Sequence, residues 1–199
     1  MADQRETNKK TRATYGGLGI VAGAVGLLMV LLLAGLAFVY TGAYNVAATE
    51  EHASITRWAF DTTIHNSVES RAADVARPGE FTQDMIAAGA SDYKAMCQHC
   101  HAGPGVKRDK WASGMRPRPP HLKEAAAHWD TNELFWIVKH GLKMSGMPAF
   151  GPTHDDRALW NIVAFVGKLP AMTAERYASL GSDSHSHEGG NQGESGHSN

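Results

Sequence analysis

Cys97-Gln98-His99-Cys100-His101 spells C-x-x-C-H, and the chain has only these two cysteines. Two thiols at this spacing can each bond one vinyl group of the same porphyrin, and the histidine after the second can reach under its iron. The rest of the fold must then be built around a covalently attached haem. Two other readings of the motif stay open here. A redox dithiol expects a βαβ context, and no alternating strand run adjoins the motif. A zinc site needs four ligands. No second cysteine pair exists, but His99, His121 and His128 remain as candidates.

Leu18 to Tyr40 contains no charged residue and is dominated by Leu, Val, Ala and Gly. At a rise of about 1.5 Å per residue, a helix of this stretch crosses the hydrocarbon layer of a bilayer. It is too long for the apolar part of a removed signal peptide, so an uncleaved anchor is expected, although Thr41-Gly42-Ala43 resembles a cleavage site. Arg5, Lys9, Lys10 and Arg12 precede the span, whereas Arg57 alone represents Lys and Arg soon after it. The positive-inside rule then keeps the N-terminus in the cytoplasm. In a bacterium, residues 41–199 would lie on the periplasmic side of the inner membrane, the kind of compartment in which C-x-x-C-H receives its haem. Gly16, Gly19, Gly23 and Gly26 form a small-residue stripe that permits close helix contact but also fits ordinary glycine use. The net charge of −1 gives no field that favours nucleic acid.

Five segments follow: a cytoplasmic N-terminus (1–17), a transmembrane anchor (18–40), a helical linker (41–80), a haem domain (81–180) and a tail rich in His, Gly and Ser (181–199). The linker starts with an interfacial Tyr40 and Tyr44 around Gly42. It continues as a helix over about 54–76, capped by Ser54 and stopped by Pro78-Gly79, with Ile55, Ala59, Thr62, Asn66, Ala73 and Ala76 as a weakly apolar stripe. In the haem domain, helices are expected over about 84–97, 131–141 and 155–168. Asp130 or Thr131, with Glu133, marks the second start, and Gly141 marks its stop. Leu159, Ile162, Val163 and Val166 have the spacing of a buried face. No strand alternation appears, so the fold class is all-α. The tail has no apolar side chain to offset ordering entropy and is expected to be disordered; its His185, His187 and His197 could hold a metal only loosely.

The order helix, C-x-x-C-H, Pro-rich loop, helix, Met-Pro, final helix resembles a class I cytochrome c over roughly residues 85–177. Gly89 and Tyr93 stand eight and four residues ahead of Cys97, as in that family. The resemblance implies that Gly89 admits the last helix and that Tyr93 packs on an aromatic of it, here Phe165 with Trp160 nearby. Pro120-His121-Leu122 resembles the element whose proline carbonyl accepts the axial histidine's Nδ1–H. Gly146-Met147-Pro148 resembles the ligand loop. The implied set is one haem c held by Cys97, Cys100, His101, Met147 and Pro120, with His101 and Met147 on the iron. Met144 is the rival sixth ligand and His140 a distant third. Arg116, Arg118 and Trp111 are candidates for contact with the propionates. The segment 41–80 and the tail are extra relative to a minimal soluble member of that family.

A His–Met haem has no open position, so the resemblance implies an electron carrier and no independent catalyst. No Ser-His-Asp, paired-carboxylate or phosphate-loop pattern stands against this. The expected partners are the membrane and a quinol-oxidising complex, dehydrogenase or terminal oxidase or reductase. A fixed cytochrome subunit of such a complex is the near alternative. A haem-based gas sensor is the distant one, and it would need a vacant or labile sixth position. Lys107, Arg108, Lys110, Arg116, Arg118, Lys139 and Lys143 are expected to border the haem crevice and to steer an acidic partner. Asp109, Glu124 and Glu133 are interleaved with them, as on an ordinary solvated surface.

Overall fold

An apolar run in lipid must satisfy every backbone polar group internally, which a helix does. In the computed structural model it is α1, Ala2–Tyr40. The structure describes residues 2–180, with side chains from residue 19 onward; the expectation for the 181–199 tail lies outside these residues. Within α1, Gly19–Tyr40 has a mean hydropathy of 2.7 and none of its apolar window is buried. This helix is long and apolar enough to cross a membrane. It ends where the Thr41 hydroxyl donates to the Ala37 carbonyl at 2.7 Å and Gly42 takes a φ of +65°. The chain divides into two units, residues 1–50 and 51–199.

The second unit is helical. It comprises α2 (Ser54–Ala72), α3 (Gln83–Asp92), α4 (Gln98–His101), α5 (Leu122–Ala125), α6 (Thr131–His140), α7 (Asp156–Val166) and α8 (Ala174–Ser179). Among the described residues there is no strand, only an isolated bridge between Gly103 and Val106. Short polar side chains set the helix starts. The Thr82 hydroxyl accepts the Met85 N–H at 3.2 Å, and the Asp155 carboxylate accepts the Ala158 N–H at 2.8 Å. At α6, the Glu133 carboxylate accepts the Asp130 N–H at 2.7 Å. Each such cap is worth about 1 kcal/mol.

The core forms where α3 crosses α7. The expected face of α7 is inside: Leu159, Ile162, Val163 and Val166 are all buried. Burying side chains of this size stabilises by roughly 1.5–3 kcal/mol each. Gly89 sits against the α7 backbone; a Cβ there would lie 2.9 Å from Ile162 N and closer still to the Asn161 carbonyl. Tyr93 packs on Phe165 with ring centroids 5.2 Å apart, and Phe135 stacks on Trp160 at 4.0 Å. The close approach and the aromatic pair both occur as the resemblance implies.

The linker helix departs from expectation. Ser54 does not cap α2; Ala53 holds the cap position with no side-chain bond, and the exposed helix end is left to water. Ile55, Ala59, Thr62 and Asn66 face solvent, while Val68 and Ala72 are buried and Ile64 is half-buried. α2 packs on α6 by this second face, with His65 stacked on Trp129 at 4.3 Å. The helix ends at Ala72, short of Ala76. The turn after it lets Val75 pack on the core and accept a hydrogen bond from Asn132 Nδ2 at 3.0 Å. The final expected helix is also shorter: α7 stops at Val166, and Pro170 belongs to a separate turn, Leu169–Ala171.

Candidate functional site

Cys97 ends a single π-helical turn, Tyr93–Cys97, that links α3 to α4. π turns inside α-helical runs often mark functional sites. Cys100 follows one helical turn later, so the two thiols share a helix face. Both are free and half-buried. Burial, with the nearby Asp92 and Cys100, pushes the Cys97 thiol up to about 12. Burial also raises Cys100. Both therefore sit as neutral thiols at ordinary pH.

His101 closes α4, and Ala102 then turns the chain away with a φ of +63°. The Tyr93 hydroxyl secures that turn by donating to the Ala102 carbonyl at 2.8 Å. His101 Nδ1 lies 2.8 Å from the Pro120 carbonyl. A carbonyl can only accept, so Nδ1 carries the proton and Nε2 keeps its lone pair. Burial lowers the His101 pKa, and the Pro120 acceptor pulls it partly back. A neutral imidazole with one fixed ring nitrogen is the state that binds a metal. This pairing is what the Pro-x-Leu resemblance implies, and Leu122 packs on the same core two residues on.

Met147 is half-buried and borders the apolar cluster that Cys97 also borders. Its loop is closed on itself. The Ser145 hydroxyl donates to the Leu142 carbonyl at 2.7 Å and accepts the Met147 N–H at 3.1 Å. Leu142 N–H donates to the Met147 carbonyl at 3.3 Å. Gly141, at a φ of +65°, lies so close that an added Cβ would be 2.6 Å from the Pro148 carbonyl carbon. Met144 is 75 % exposed, and His140 is exposed beside the Trp136 ring. Of the three rival ligands, Met147 alone faces the interior.

Two thiols for the porphyrin vinyl groups, a histidine with its lone pair free and a half-buried thioether are the groups that a haem c takes, and the apolar cluster beside them suits a porphyrin. Among the described residues, no three His, Cys, Asp or Glu side chains gather into a metal-binding group, so the zinc alternative finds no ligand set there. Trp111 does not turn inward. It is 62 % exposed, and its indole N–H goes to Asp109 Oδ2 at 3.2 Å. Arg116 uses Nη1 on the Ser113 and Met115 carbonyls, and Arg118 is exposed. Two contributors, buried Tyr177 and half-buried Met115, had no sequence argument. Tyr177, on α8, donates to Gln98 Oε1 inside the motif at 2.6 Å. The Met115 methyl lies where a Gly146 side chain would be. The Thr173 cap of α8 was the available signal for the first.

Residues 84–166 match the family model of cytochrome c oxidase, cbb3-type, subunit III. The model that it matches describes a c-type cytochrome domain, consistent with the class I cytochrome c resemblance. Such a domain implies covalently bound haem c and haem-based electron transfer. A search of curated proteins gives no match to the chain.

Proposed function

We propose that the chain is a membrane-anchored, mono-haem cytochrome c that carries single electrons between respiratory complexes, or from a dehydrogenase to a terminal oxidase or reductase. Cys97 and Cys100 hold the haem, and His101 and Met147 ligate its iron. The observation that carries this reading is the His101–Pro120 hydrogen bond, which leaves Nε2 as the one free donor of the ring. A haem held by these residues would supply one-electron chemistry there. The chain's own part is to fix the His101 ring, keep Met147 on a short closed loop and exclude water with the α3–α7 core. The basic N-terminal flank of α1 supports placing the haem domain on the periplasmic side of a bacterial inner membrane.

Absorption spectra of the purified protein test the ligand set. The ferric form should show the near-infrared band of a Met–iron bond. Met147→Leu should abolish it and Met144→Leu should leave it. A band that survives Met147→Leu would refute the assignment. The match to an oxidase subunit favours one second reading, a fixed subunit of a membrane oxidoreductase. A catalytic subunit that co-purifies stoichiometrically in mild detergent would decide for it.

A further inference from the structure

Large apolar side chains stand in water at the start of α2. Ile55 is 66 % exposed, Trp58 63 % and Phe60 40 %, and Val46, ahead of the helix, is 89 % exposed. At about 100° per residue, Ile55, Trp58, Ala59, Thr62 and Asn66 share a strip of α2 roughly 100° wide. All five are exposed. Val68 and Ala72, which are buried, lie on the other side of the helix. Arg57 and Asp61 fall off the strip, and Glu69 is the first charge on it. Its opening turns are therefore uncharged and carry a tryptophan.

Chain length points to what covers this strip. Only residues 41–53 separate the end of the apolar span at Tyr40 from the start of α2 at Ser54. Fully extended, they reach at most about 50 Å. They also turn: Gly42 has a φ of +65°, the Ala47 N–H donates to Asn45 Oδ1 at 2.9 Å, and the Glu50 N–H donates to the Ala47 carbonyl at 3.1 Å. A short tether raises the effective concentration of what it joins to the order of millimolar, so a weak apolar contact is enough. Tryptophan favours the lipid–water interface, where its ring is apolar and its N–H is wet. Glu50 and Glu51 precede the helix, so anionic headgroups are not selected.

Resting on the reading of α1 as a membrane anchor, we propose that the outer strip of α2 lies in the lipid–water interface, with Ile55 and Trp58 seated below the headgroups, and that this contact sets the orientation of the haem domain over the bilayer. α2 can transmit an orientation because it is fixed to that domain along its length. Arg116 Nε lies 3.2 Å from Glu51 Oε1 at one end. His65 stacks on Trp129 at 4.3 Å in the middle, and Asn132 Nδ2 donates to the Val75 carbonyl at 3.0 Å beyond the other end.

The test uses the full-length, haem-loaded protein in phosphatidylcholine bilayers. With Cys97 and Cys100 taken by the haem, Thr62→Cys supplies a single thiol on the strip for a nitroxide label, and Lys123→Cys supplies one on exposed α5. In nanodiscs the label at 62 should lose its collisions with a water-soluble nickel chelate and gain them with oxygen, while the label at 123 stays open to nickel. Adding Ile55→Ser with Trp58→Ser should restore nickel access at 62. In stacked, oriented bilayers the electron paramagnetic resonance of the ferric haem should vary with the angle of the film. The Ile55→Ser, Trp58→Ser pair should lose that dependence. Trp111→Ser, which removes an equally exposed ring (62 %) elsewhere, should keep it. Equal nickel access at 62 and 123, or an angular dependence that survives the paired substitution, overturns the proposal. Shielding that vanishes at one protein per disc assigns the strip to a second copy and overturns it. Shielding that needs anionic lipid, or is lost at about 0.5 M salt, shows attraction by charge and overturns it too. A chain that fails to float with phosphatidylcholine vesicles sinks the anchor reading and the proposal together, whereas one that floats with an open label at 62 sinks the proposal alone.

Discussion

Gly89→Ala drives a methyl group into the peptide joining Asn161 to Ile162. The least crowded of the three nearest atoms, Ile162 N, would lie 2.9 Å from the new Cβ, where ordinary contact begins at 3.4 Å. The helices must part by at least the difference, 3.4 − 2.9 = 0.5 Å, and by more at the Asn161 carbonyl. The obstacle is backbone on both sides, so no rotamer change relieves it. Overpacking a core costs about 1–3 kcal/mol, and a rigid obstacle places this case near ~3 kcal/mol. For a unit of this size, 1 kcal/mol is worth about 4 °C in Tm, which gives a drop of about 12 °C. The assay is thermal unfolding of the haem-loaded protein by far-ultraviolet circular dichroism. Gly114→Ala is the control, since nothing lies within 4 Å of its added Cβ. A Gly89→Ala variant that melts within about 2 °C of the control would refute the reasoning, because α3 and α7 would then not meet through this residue.

Two further outcomes are expected. Tyr93→Phe leaves the buried Ala102 carbonyl without its donor and should lower the unfolding free energy by about 1–2 kcal/mol in urea titrations; a neutral result would mean that water replaces the hydroxyl. Asp92 has its pKa raised chiefly by burial, with His154 pulling it down. The folded state therefore holds the proton more tightly than the unfolded chain, and the stabilisation is complete at low pH and lost as pH rises through the folded pKa. Asp92→Asn should accordingly stabilise the protein at about pH 7 and do nothing at about pH 3. A gain that is the same at both pH values would show that ionisation plays no part.

Local chemistry made much of the domain legible. Asp130 with Glu133, and Asp155, announce helix starts because their side chains satisfy amides in the first turn. Gly89, Tyr93 and Phe165 are legible through the family's spacing, and Pro120 through its carbonyl. The packing side of α2 was not legible. Ile55 and Ala59 lie on one face and Ile64, Val68 and Ala72 on another, and both recur at helical spacing. Periodicity cannot choose between two faces of similar apolarity; α6 does, and it is distant in sequence. The π turn before Cys97 has no composition of its own. It inserts one residue's worth of slack, and only the surrounding packing reveals it. Tyr177 was similarly hidden, because its partner Gln98 lies far back along the chain.

α2 lies outside the matched stretch, yet Val68, Ala72 and the Asn132–Val75 bond lay it across α6. That flank is already occupied by the chain's own buttress. A visiting molecule cannot settle on the patch of α6 that α2 covers, so the choice of landing ground is narrowed before any collision takes place. Stripping α2 away would do more than trim a linker: it would lay that patch of α6 bare.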